Sequence, residues 1–275
     1  MQAGMELIGS NSYMADLEMT SMAIVVLKEC NETNFSLELG DAGIFKELMR
    51  ELHTSPSTKE EIRYLIETKN YSALNDLLDT LGDNHIIYAL KKLPSLFGGE
   101  EVFDKMAQLY TTPHIQDMLQ YLRKLYKEIA ALIGKERVSV DLGIVNKADY
   151  YTGVIIKGYL EGYGDEVLSG GRYNKLLESF GYDVPAVGFA VNVDAVAKVA
   201  MKHNPRTKKP ADAVVYAAPG YEQEAIKLAE IKRQAGSVVE FALEETAEAA
   251  LQYAKIRQIP KLYRVEEEVT EVTVL

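Results

Sequence analysis

The chain has 275 residues, 30 basic and 41 acidic side chains, and a formal net charge of −11. That balance argues against a protein built to hold phosphate backbones, which carries a clustered basic face. A single cysteine, Cys30, excludes an internal disulfide framework and a cysteine-based zinc site. The four histidines (His53, His85, His114 and His203) show no metal-ligand spacing, so neither metal nor cofactor is expected. Nothing approaches a membrane span or a basic-then-apolar leader, which makes the cytosol the expected location, with neither membrane nor nucleic acid as partner.

In chain order, residues 14–30 read as a helix, with Met14, Leu17, Ala23, Ile24 and Leu27 at helical spacing. Phe35–Leu39 reads as a strand. Residues 43–134 read as almost wholly helical. Thr58 and Glu61 have capping-box spacing ahead of Ile62, Leu65 and Ile66. The clearest helix starts at Thr112-Pro113 and presents Ile115, Leu119, Leu122, Leu125, Ile129 and Leu132 on one face before Gly134 ends it. The texture then changes to strands at Val138–Val145, Tyr151–Leu160 and Glu166–Ser169, with a hairpin turn over Glu161–Asp165. Gly170-Gly171 should break the third of these. A helix over Tyr173–Phe180, a strand over Val184–Val191 and a helix over Asp194–Lys202 follow. Strands joined by a hairpin predict an antiparallel sheet.

Residues 203–210 read as a linker, and residues 211–275 as a small β-α-β-α-β module of about 65 residues, near the lower limit for independent folding. Its strands are placed at 213–217, 238–243, 261–265 and 269–275, its helices at 222–234 and 245–258. Charge divides unevenly: −10 in residues 1–201, +4 in 202–210 and −5 in 211–275. The terminal module, the natural candidate for nucleic-acid binding, is therefore acidic.

Three segments carry more than patterning: Gln2-Ala3-Gly4-Met5-Glu6-Leu7-Ile8-Gly9 with Asp16 and Glu18 beyond it, Asp149-Tyr150-Tyr151-Thr152-Gly153, and Gly170-Gly171-Arg172-Tyr173 followed by Pro185-Ala186-Val187-Gly188-Phe189-Ala190. Taken singly, tyrosine pairs are ordinary strand residues and Gly-Gly an ordinary turn. In this order, around a helical insertion, they resemble the catalytic core of the histidyl-tRNA synthetase family. The resemblance spans residues 1 to about 200. It implies an α+β fold: a class II aminoacyl-tRNA synthetase-like antiparallel sheet core (1–204, insertion about 43–135) plus a shortened anticodon-binding-like α/β domain (211–275).

The resemblance also implies a histidine pocket. Gln2 and Glu6 would hold the α-amino group, since charge-assisted bonds to an ammonium are the stronger ones. Tyr151 and Tyr173, with Tyr150 beside them, would line the imidazole, and Gly170 and Gly171 would let backbone approach the ligand. Two departures stand out. Asn146 occupies the place of an arginine that steadies carboxylate and phosphate during adenylate formation, and Ala195 that of an arginine that grips ATP. Transfer chemistry at phosphorus depends on such cations, so amino-acid activation should be lost, which need not abolish binding of the amino acid. Within this family that pattern matches non-catalytic paralogues that regulate ATP phosphoribosyltransferase. It implies the short-form catalytic subunit as partner in a hetero-oligomer, histidine as effector, self-association, and no catalytic activity of its own. A divergent or fragmentary synthetase, and a synthetase-like interaction domain without histidine binding, are the alternatives. The family core also implies sequence upstream of Met1, and so an exposed apolar sheet edge or a compensating assembly.

Overall fold

The computed structural model describes residues 1–30, 34–145, 150–203 and 210–274. It divides into two compact units, Met1–Pro205 and Arg206–Leu275. In the first, the elements run β1 (Gln2–Ile8), α1 (Tyr13–Cys30), β2 (Phe35–Asp41), α2 (Ala42–Glu51), α3 (Pro56–Glu67), α4 (Tyr71–Thr80), α5 (His85–Lys92), β3 (Phe97–Gly98), α6 (Glu101–Leu109), α7 (Pro113–Ile133), β4 (Val138–Asp141), β5 (Val154–Leu160), β6 (Leu168–Arg172), β7 (Ala186–Asn192) and α8 (Val193–His203). In the second they run β8 (Ala213–Ala217), α9 (Glu222–Gln234), β9 (Val239–Phe241), α10 (Ala247–Ile256), β10 (Lys261–Val265) and β11 (Val269–Thr273).

The first unit is a seven-stranded sheet in the order β1-β7-β6-β5-β2-β4-β3. Every neighbouring pair is antiparallel except β2 and β4, which run parallel. The α+β reading holds: a largely antiparallel sheet with a helical insertion between β2 and β4. Because side chains alternate across a strand, the register sorts the two faces. One face carries Leu37, Leu39, Val154, Ile156 and Phe189, which join the main core with α1 and α7. The other face carries the row Glu6, Gly188, Gly171, Ile155 and Gly40. β1 forms the outer edge and leaves Met5 and Ile8 exposed at 40% and 58%.

Helix α7 forms where Thr112-Pro113 placed it. The Thr112 hydroxyl accepts from the Ile115 N–H at 3.1 Å, and Gly134 ends the helix with φ of +90°. Its buried face is Ile115, Leu119, Leu122, Leu125, Ile129 and Ile133. Leu132 is 58% exposed, because one residue in a helix is a turn of about 100°.

Other expectations are corrected. The cap of α3 is Ser55, which accepts from Thr58 N–H at 3.1 Å, because Pro56 fixes the first helical position ahead of the Thr58–Glu61 pattern. β4 stops at Asp141, whose carboxylate takes the Gly143 N–H at 2.8 Å and turns the chain. β5 starts at Val154, after Tyr151–Gly153. Gly170-Gly171 does not break β6, which runs through both to Arg172. No α-helix spans Tyr173–Phe180. Tyr173 N–H bonds to Ala186 and Asn174 N–H to the Thr152 hydroxyl, so the first turn is spent on neighbouring segments and only Leu177–Phe180 coils, as a 3₁₀ turn.

The second unit is a four-stranded sheet, β11-β10-β8-β9, with β8 parallel to β9 and β10, and β11 added antiparallel. Ala250, Ala254 and Leu262 form a core on one face, Ala225, Ala229 and Val215 on the other. Among the described residues no helix is long and apolar enough to cross a membrane.

Candidate functional site

Four segments distant in sequence meet on the open face of the first sheet. Glu6 rises from β1 and lies directly over Gly188 of β7; a Cβ at position 188 would stand 1.6 Å from a Glu6 carboxylate oxygen and 2.6 Å from the Met5 carbonyl. The Tyr173 hydroxyl donates to that same carboxylate. Tyr150 packs on Tyr151 with ring centroids 4.4 Å apart, and meets Tyr173 edge-on at 6.0 Å. Tyr151 is buried with Ile144 and Ile155, and Tyr173 packs against them. Burial pushes the Tyr151 phenol well above the ordinary tyrosine value, with Tyr150 and Glu6 adding to the rise. Burial and the bond to Glu6 do the same for Tyr173. Both phenols therefore stay protonated and able to donate throughout the neutral range.

Thr152 and Gly153 hold the tyrosine segment in place. Thr152 N–H donates to the Arg172 carbonyl at 2.7 Å, and the Gly153 carbonyl accepts from Ala42 N–H at 3.0 Å. The Tyr151 carbonyl accepts from Lys46 Nζ at 2.8 Å.

The strand pleat splits the expected pair Gly170 and Gly171. Gly171 faces the site: a Cβ there would meet the Tyr151 ring at 2.9 Å. Gly170 faces the core, where a Cβ would meet Phe189 Cβ at 2.5 Å, so it serves packing and lines no ligand surface. Arg172 likewise points beneath the sheet, away from Tyr173. Gln2 shares the face of Glu6 and pairs with Asn192, but residues four apart in a strand are separated by about 13 Å. Glu6 is engaged by Tyr173 at the tyrosine end, and Gln2 lies along the strand from it. Ala195 is fully buried in the main core in the first turn of α8, where Asn192 Oδ1 caps its N–H at 3.1 Å. Asn146 and Asp149 lie outside the described residues. No group of His, Cys, Asp and Glu suited to a metal ion occurs among the described residues.

Sequence reasoning passed over Gly188, although it was part of the motif, and over Arg172. Arg172 is 6% exposed. It pairs with Asp16 of α1 (Nε 2.9 Å, a terminal nitrogen 2.7 Å), and donates to Ser10 O at 3.0 Å, Asn11 Oδ1 at 3.3 Å and Asn174 Oδ1 at 3.0 Å. The Asp16 carboxylate also accepts from the Tyr121 hydroxyl of α7. This buried network ties the segment after Glu6 and the segment bearing Tyr173 to the helical insertion. An arginine next to a motif tyrosine was the available signal.

Gly188→Ala is expected to displace the Glu6 carboxylate. The urea midpoint of unfolding should fall, because the new methyl also meets the Met5 carbonyl; an unchanged midpoint would contradict this placement of Glu6.

The family described as histidyl-tRNA synthetase matches residues 1–196. This chain belongs to that family. It is 37% identical over 257 residues to an ATP phosphoribosyltransferase regulatory subunit of Clostridium kluyveri, covering 92% of this chain and 66% of that protein. To the regulatory subunit of Clostridium novyi it is 34% identical over 265 residues, covering 95% and 63%. A crystal structure described as an ATP phosphoribosyltransferase regulatory subunit/histidyl-tRNA synthetase from Bacillus halodurans superposes with a TM-score of 0.72 at 27% identity, over 92% of this chain and 66% of that one. The chain thus spans just under two thirds of these relatives' length.

Proposed function

We propose that this chain acts in a regulatory subunit of ATP phosphoribosyltransferase, binding histidine as effector without activating it. Glu6 carries the reading. A carboxylate held beside two protonated phenols, over a floor of glycine, suits a planar N–H donor with a second ring nitrogen. Imidazole is such a ring: one N–H donates to Glu6 while a tyrosine hydroxyl serves the other nitrogen. Gln2, farther along the same face, would meet the amino-acid end, with Tyr150 flanking the ring. The proposed partner is the short-form catalytic subunit, in a hetero-oligomer that also self-associates. Histidine would inhibit by binding two states of that assembly with different affinity. The names of the relatives support the regulatory role, and Ala195 fits a chain without a cation for ATP.

Mixing the chain, within its full-length protein, with a short catalytic subunit tests this. Its phosphoribosyl transfer rate should rise and become sensitive to histidine; no change in rate sinks the proposal. Glu6→Gln should weaken histidine binding by about 10- to 100-fold, the value of a charge-assisted bond. Equal affinity in calorimetry would remove Glu6 from the site. Histidine-dependent pyrophosphate exchange would instead mark a synthetase, the reading that the description of the Bacillus halodurans structure keeps open.

A further inference from the structure

A cavity of about 350 Å³ lies behind Tyr151 on the same side of the sheet, roofed by α2 and α3. None of Gln2, Glu6 and Tyr173 lines it. Phe45, Met49, Ile144, Ile155 and Tyr151 supply most of its apolar wall. The volume is that of an ordinary small-molecule site.

Four charged side chains also line it, Lys46, Lys59, Glu60 and Arg63, and Lys46 is engaged by the Tyr151 carbonyl. Arg63 is matched by Glu60 and Glu67, at 2.5 and 2.7 Å. Lys59 donates to the Met49 carbonyl, a neutral acceptor, and among the described residues no carboxylate pairs with it. An ammonium partly withdrawn from water beside an apolar chamber is stabilised by an anion.

We propose that this cavity binds a small monocarboxylate with an apolar body, its carboxylate on Lys59 and its body against Phe45, Met49 and Ile155. Tyr151 is the shared wall. Its ring closes the cavity on one side and packs on Tyr150 on the other, and Tyr150 meets Tyr173. A ligand that shifts Tyr151 therefore shifts the tyrosines beside Glu6, and histidine shifts the cavity in return. This coupling, and only the coupling, rests on the histidine reading above.

The probe is 3-phenylpropanoate, with 3-phenylpropanol as its uncharged analogue, followed by saturation-transfer NMR and calorimetry on the whole protein. The acid should bind, and the alcohol should bind about 10- to 100-fold more weakly. Lys59→Gln should cost the acid the same factor and leave the alcohol unchanged. Ala42→Leu, which fills the cavity from its α2 wall, should abolish both, with circular dichroism reporting the fold. Failure of the acid to bind, or binding indifferent to Lys59→Gln, overturns the site. Saturating acid should change histidine affinity by about fivefold or more. Unchanged histidine affinity overturns the coupling. If histidine does not bind at all while the acid does, the histidine reading fails and the cavity stands.

Discussion

Asp16→Ala should lower the unfolding free energy by about 3–5 kcal/mol, the cost of stranding one partner of a buried ion pair. Asp16 is 1% exposed and Arg172 6%, so neither reaches water to recover its solvation. Removing the carboxylate leaves Arg172 with Ser10, Asn11 and Asn174, all neutral acceptors, and orphans the Tyr121 hydroxyl. Urea titration followed by circular dichroism measures the loss. The double variant Asp16→Ala with Arg172→Met is the sharper measurement. It leaves no charge stranded at this site, so it should be more stable than Asp16→Ala alone, although it has lost more hydrogen bonds. A double variant less stable than either single one would contradict the assignment of the cost to an orphaned guanidinium. On the proposed histidine reading, the single variant should also loosen histidine binding, because Arg172 fixes the segments on either side of the Glu6–Tyr173 bond.

Helices were legible wherever local chemistry decided them. Thr112-Pro113 and Gly134 state the ends of α7 within their own neighbourhood, and the stripe from Ile115 to Ile129 states its face. The Thr58–Glu61 pattern misled because two starts competed, and Pro56 has one backbone conformation to offer where Thr58 has several. The sheet was legible in kind and not in detail. β1, with Gly4 and its mixed polar and apolar side chains, announces no strand; its partner β7, far along the chain with Gln2 opposite Asn192 and Ile8 opposite Ala186, supplies the ladder. Gly170-Gly171 reads locally as a break, yet both glycines sit in β6 because neighbouring strands crowd them on opposite faces.

The same alternation explains what could and could not be read of the site. The segments that the motifs singled out do meet. Which residue of each looks up is decided by register, and register is a property of paired strands. Gly171 and Tyr173 look toward Glu6, while Gly170 and Arg172 between and beside them look into the core. A motif written as Gly170-Gly171-Arg172-Tyr173 thus serves two faces: Gly171 and Tyr173 beside Glu6 above the sheet, and the buried Arg172 anchor below. The charge deficit at Ala195 was read from the sequence, whereas its burial at the foot of α8 required the fold.

Asp41→Asn should make the protein more stable at neutral pH, and progressively so between pH 4 and 8. Burial beneath the sheet raises the Asp41 pKa from 3.8 to about 7; the bond from Gly43 N–H opposes the rise and the charge of Asp16 adds to it. Between those two values the folded protein keeps a proton that the unfolded chain releases. Stability therefore falls as pH rises from about 4 to about 7, and levels off above, where both states are ionised. The span corresponds to about 4 kcal/mol as an order of magnitude, at 1.36 kcal/mol per pKa unit. Asparagine keeps the oxygen that caps α2 through Gly43 N–H at 2.7 Å, so the helix start survives. It cannot ionise, so its stability curve lacks this one slope. Any fixed cost of the new amide shifts the whole curve and leaves the slope difference untouched. Urea midpoints measured at intervals from pH 4 to 8 should show the two proteins diverging as pH rises. Parallel curves would mean that Asp41 is charged in the folded state at pH 4, and that burial does not govern it.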